Sequence, residues 1–175
     1  MRIFEFVDAC LGTYRISLSN ADSEAFSEEA LYNAINTALK EEYRLNVVKW
    51  KPSDASYPEY MLLGGDRGIL AYIRYFYCES EDSMPTACFS LDSESVLRTI
   101  CSANSSLDRP VFFVYLVNTS TGVQAFFETD EQIKDRWLST GFSDDLYSPV
   151  FDEAGTIENL ISIMLDLKKN NVRMY

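Results

Sequence analysis

The chain has 175 residues, 47% hydrophobic and 14% aromatic, which is enough apolar material to fill the core of one domain. Its 27 Asp and Glu against 15 Lys and Arg give a net charge of −12, which opposes long-range attraction to a polyanion and argues against a dedicated nucleic-acid binder. It contains no histidine, which removes Ser-His-Asp and Cys-His nucleophile activation, two-histidine zinc sites and any unassisted base that titrates near neutrality.

The N-terminal stretch reads as a hairpin, with strands Ile3 to Val7 and Tyr14 to Leu18 turning at Leu11-Gly12-Thr13. From Ser27 to about Glu42, Leu31, Ala34, Ile35, Ala38 and Leu39 recur at helical spacing, with Ser27 as cap and Glu28 and Glu29 at the positive helix start. Leu45 to Trp50 reads as a strand, followed by a polar loop to Pro58. Strands Tyr60 to Leu63 and Ile69 to Tyr77 follow, joined by the turn Gly64-Gly65-Asp66-Arg67-Gly68. The second is rich in β-branched and aromatic residues and is expected to be central.

An acidic loop leads to a second helix, about Asp92 to Ala103, capped by Asp92 or Ser93, with Val96, Leu97, Ile100 and Cys101 as its buried stripe. Val111 to Val117 is too short and too β-rich for a buried helix; it reads as a strand, hairpinned through Asn118 to Gly122 with Val123 to Phe127. Thr129 with Gln132 matches a capping box and starts a short helix holding Ile133 and Trp137. A loop with Gly141, Asp144, Asp145 and Pro149 precedes a last helix, Ile157 to Lys168, whose stripe is Ile157, Leu160, Ile161, Met164 and Leu165.

No repeat or linker divides the sequence, so one domain over residues 1–175 is expected. The longest apolar run, Val111 to Val117, falls well below the roughly 18 to 20 residues of a membrane-spanning helix, so no membrane partner is expected. Glu5 and Asp8 interrupt any signal-peptide core, which makes a cytoplasmic location the expectation. Cys10, Cys78, Cys88 and Cys101 show no metal-finger or redox spacing and read as reduced core thiols. Neither the P-loop nor the dinucleotide-binding glycine pattern occurs. The chemistry left open is carboxylate-based, with Lys, Tyr or Cys as helpers. Lys49, Lys51, Arg67 and Arg74 are close enough in sequence to form a small basic groove, or else are solvated charges near strand ends.

The order helix, three strands, helix, two strands, over roughly Ser27 to Trp137, resembles the common core of the PD-(D/E)xK nuclease-like superfamily, the restriction-endonuclease fold. In that family a Pro-Asp pair opens the second strand and a Glu-x-Lys lies on the third; the carboxylates hold Mg²⁺ and the lysine serves the attacking water. Pro58-Glu59-Tyr60-Met61-Leu62-Leu63 looks like the first motif with Glu for Asp. Leu70-Ala71-Tyr72-Ile73-Arg74-Tyr75-Phe76 looks like the second, with Arg74 where the carboxylate should stand and Phe76 where the lysine should stand.

The resemblance implies an α/β fold in three layers, a mixed central sheet flanked by helices, with the N-terminal hairpin and C-terminal helix added to the core. It also implies that Glu59 and Arg74 lie side by side on neighbouring strands. The candidate site residues are Glu59, Asp66 and Arg74, with Glu59 also the candidate metal ligand and Asp54 and Glu79 as further carboxylates within reach. The expected function is an inactive nuclease-like domain that binds a protein and takes no cofactor. One alternative is a metal-dependent nuclease with a non-standard carboxylate set, which would need Mg²⁺. The other is an acidic inhibitor that mimics nucleic acid, using Asp144, Asp145, Asp152 and Glu153. The 11 Tyr, 11 Phe and 2 Trp suit either a core or an interface.

Overall fold

The structure, a computed structural model, describes residues 28–49, 58–65, 68–79, 91–107, 109–119, 122–140, 146, 147, 149 and 155–173. The expected N-terminal hairpin lies outside the described residues, as do Asp54 and Asp66.

Helix α1 (Glu28–Tyr43) forms where the apolar spacing predicts it, and buries Tyr32, Ile35 and Leu39 on one face. It ends at Arg44, which adopts a left-handed conformation at φ 57° and donates its N–H to the Lys40 carbonyl, while Leu45 N–H reaches the Leu39 carbonyl. The chain leaves the helix already turned into β1 (Asn46–Lys49). Strands β2 (Tyr60–Leu63) and β3 (Ile69–Glu79) complete an antiparallel meander, with a register shift between Leu62 and Leu63.

After the two-residue β4 (Leu91–Asp92), helix α2 (Ser93–Leu107) crosses over to β5 (Val111–Thr119), which pairs parallel to β3. Strand β6 (Gly122–Thr129) returns antiparallel to β5. Helix α3 (Asp130–Thr140) follows, then β7 (Leu146–Tyr147), paired with β4, and helix α4 (Ile157–Arg173). The main sheet is mixed, in the order β1-β2-β3-β5-β6.

The sheet is covered on both faces. On one side Ile35 and Leu39 of α1 and Ile157, Leu160, Ile161 and Met164 of α4 pack over Leu62, Ile73, Val114 and Leu116. On the other, Val96 and Ile100 of α2 and Ile133 of α3 pack over Tyr72, Phe113, Tyr115 and Val117. This explains why Val111 to Val117 is apolar without alternation: both faces of β5 are buried, and every residue from 111 to 117 is enclosed. Each large side chain so buried stabilises the fold by about 1.5–3 kcal/mol. The α/β class, mixed sheet and flanking helices agree with the sequence reading.

Three expectations need correction. Cys101 is exposed, because the stripe of α2 runs through Val96 and Ile100 and the next residue turns about 100° away from the sheet. Leu165 is 37% exposed for the same reason, one step past Met164 on α4. Cys78 is not a reduced thiol but is disulfide-bonded, which sequence spacing does not reveal. The small β4–β7 sheet escaped the sequence reading because two residues carry no periodicity.

Candidate functional site

Tyr60 pairs with Ile73 across β2 and β3, and their side chains enter the core beneath α1 and α4. One step further along, alternation turns Arg74 toward the α2 side, and Glu59, just before β2, is near enough to favour its charged form. The same row continues across the sheet, since Arg74 pairs with Phe113 of β5 and Phe113 pairs with Glu128 of β6. Three neighbouring strands therefore present Arg74, Phe113 and Glu128 in line, with about 4.8 Å between adjacent strands.

Arg74 is partly exposed and held by three contacts. Its Nη1 donates to Thr99 Oγ1 at 2.9 Å and to Ser95 Oγ at 3.3 Å, both on α2, and its guanidinium lies 4.9 Å from the Phe76 ring centre. The Thr99 hydroxyl in turn donates to the Ser95 carbonyl at 2.9 Å, so the acceptor is itself fixed. Burial lowers the Arg74 pKa, opposed by Tyr115 and Glu59 nearby. Among the described residues, no carboxylate reaches ion-pairing distance of Arg74, and no acceptor meets Nε or Nη2. Glu59 is exposed and likewise makes no ion pair there.

The other end of the row is closed. Glu128 is 1% exposed and accepts from Tyr147 Oη at 2.6 Å and, more distantly, Tyr115 Oη at 3.4 Å, while Arg136 Nη2 lies 3.1 Å from its other oxygen. Arg136 also donates from Nε to the Gln132 carbonyl and stands over the Tyr147 ring. Burial, then the Glu128 carboxylate, raise the Tyr115 and Tyr147 pKa values, so both phenols stay protonated as donors. Asp130 at the start of α3 is 3% exposed, and its Oδ1 accepts from Val111 N–H at 3.2 Å. These contacts tie β6, α3 and β7 to the sheet.

Of the residues expected to form a site, the structure thus brings Glu59 and Arg74 together. Asp66 lies outside the described residues, as do Lys51, Arg67 and the loop acids Asp144, Asp145, Asp152 and Glu153. Glu79 ends β3, five residues beyond Arg74 along the strand, and Lys49 lies at the exposed end of β1. Among the described residues, no three His, Cys, Asp or Glu side chains converge to hold a metal ion, and no helix is long and apolar enough to cross a membrane.

Sequence reasoning missed Glu128, Tyr115 and Tyr147. The signal for Glu128, an acid at the end of a strand in a doubly covered sheet, becomes readable only once β6 is registered against β5. No known protein-family model matches this chain, and neither a curated protein nor a solved structure matches it.

Proposed function

We propose that the chain is a catalytically inactive, nuclease-like domain of restriction-endonuclease-like form that acts by binding another protein, as a scaffold or regulator. The observation that carries this reading is Arg74, at the β3 position where the resemblance calls for a second metal-binding carboxylate. A divalent ion needs converging anionic oxygens, and a guanidinium in that place repels it. The residues therefore do not fit Mg²⁺.

The nuclease-like form is supported by the element order α1, β1, β2, β3, β4, α2, β5, β6 and by Glu59, just before β2, lying near Arg74. Fold alone assigns no activity, so the binding role rests on the residues that occupy the site. A protein partner is favoured over nucleic acid by the net charge of −12.

Cleavage assays on single- and double-stranded DNA and on RNA, with Mg²⁺ and with Mn²⁺, test this reading. The expected result is no cleavage. Cleavage abolished by Glu59→Gln would replace it with a metal-dependent nuclease whose second carboxylate comes from elsewhere.

A further inference from the structure

Arg74 spends only one of its three nitrogens on the fold. Nη1 is engaged by Ser95 and Thr99, while Nε and Nη2, the edge that forms a planar two-pronged donor, have no acceptor among the described residues. The guanidinium is partly buried, lies 4.9 Å from the Phe76 ring centre and is held from behind by hydroxyls of one helix. It is therefore positioned before any ligand arrives, which reduces the ordering cost of binding. We propose that the Nε/Nη2 edge of Arg74 is a recognition point for a carboxylate, the Asp or Glu side chain of a partner polypeptide. This rests on the protein-binding reading above and names the chemistry it would use.

A guanidinium edge takes a carboxylate or a phosphate through two parallel hydrogen bonds. The surroundings favour a single negative charge over a phosphate chain. The chain carries −12, and the exposed Glu59, just before β2 and near Arg74, repels the next phosphate of a polyanion. Glu59 has no ion-pair partner among the described residues, so it offers a second contact of opposite sign near Arg74. The complementary partner segment carries a basic residue beside its acidic one, the base toward Glu59 and the acid toward Arg74.

The test uses the full chain labelled with ¹⁵N, following the arginine Nε–H resonances at constant ionic strength. The probes are sodium acetate, a blocked Lys-Glu dipeptide, inorganic phosphate and a short DNA duplex. The expected result is a saturable shift of the Arg74 Nε resonance with acetate. The dipeptide should act at severalfold lower concentration, and Glu59→Gln should remove that advantage but not the acetate response. Arg74→Lys should weaken carboxylate binding at least tenfold, with the amide spectrum unchanged elsewhere.

An Arg74 resonance that neither carboxylate moves would overturn the proposal, and so would one that the duplex or phosphate moves at lower concentration than acetate. Cleavage activity, measured separately, reports on the inactive-domain reading. A carboxylate shift together with cleavage would sink that reading while leaving the recognition point standing.

Discussion

Glu59, one residue before β2, lies close enough to Arg74 of β3 to act on its charge, without forming an ion pair with it. Arg74 instead leans on Ser95 and Thr99 of α2. If Arg74 replaces a carboxylate, then Arg74→Glu should place two acids close together. Like charges close together are destabilising, and losing the Arg74 contacts to Ser95 and Thr99 adds to this, for a loss of about 1–3 kcal/mol. Millimolar Mn²⁺ should restore stability to this variant and leave the wild type unchanged, as read by thermal unfolding. Arg74→Met, which removes a desolvated charge and keeps the volume, should stay within about 1 kcal/mol of the wild type.

Glu128 presents the opposite situation, a carboxylate at 1% exposure that accepts from two phenols and pairs with Arg136. Removing one member of such a group leaves the others buried without their partner. Glu128→Ala is expected to destabilise by about 3–5 kcal/mol. Glu128→Gln keeps the shape and an acceptor, and should fall in the range of about 1–3 kcal/mol. Urea unfolding checks both, and equal losses for the two variants would contradict the electrostatic account.

The enclosed tyrosines give a pH dependence of definite sign. Burial raises the pKa of Tyr75, with Tyr60 and Tyr32 adding to it, and raises those of Tyr115 and Tyr147, with Glu128 adding to both. In the unfolded chain these phenols ionise near pH 10. The stability they protect is therefore fully present below about pH 10 and is lost as the pH climbs from there toward the raised folded values, because the unfolded state then holds fewer protons. Absorbance of tyrosinate should rise in two stages, exposed phenols first and these three only as the fold is lost. Simultaneous ionisation of all tyrosines in a still-folded chain would contradict their enclosure.

Arg44 ends α1 in the left-handed region, where a side chain crowds the backbone and glycine does not. Arg44→Gly should therefore stabilise by about 0.5–1 kcal/mol. The Lys168 Nζ contact at 2.6 Å goes to the Arg44 carbonyl and survives the change. A melting temperature that falls in this variant would show that the Arg44 side chain contributes more than its backbone conformation costs.

The elements that were legible in the sequence are those whose period exceeds their noise. Ile35 and Leu39 on α1, the stripe from Ile157 to Met164 on α4 and the uninterrupted Val111 to Val117 each declared their type, because burial on one helix face or on both strand faces writes a pattern. The capping box was legible because it is local: Thr129 N–H reaches Gln132 Oε1 at 2.9 Å and Gln132 N–H reaches Thr129 Oγ1 at 3.2 Å.

Features set by long-range pairing were harder to read. Leu165 and Cys101 are apolar residues one step off a stripe, and sequence does not say which of two adjacent residues faces inward. The Glu128 cluster joins residues from β5, β6, α3 and β7, so nothing local marks it. Glu59 and Arg74 could be named from the motif resemblance, whereas the hydroxyls that hold Arg74 required the packing of α2.

The most direct measurement is nuclease activity of the full chain on single- and double-stranded DNA and RNA, with Mg²⁺ or Mn²⁺, for wild type and Glu59→Gln side by side. On the proposed reading, in which Arg74 stands in place of a metal-binding carboxylate, both proteins should leave every substrate intact. Metal-dependent cleavage by the wild type that Glu59→Gln abolishes would contradict the account and identify Glu59 as a working ligand.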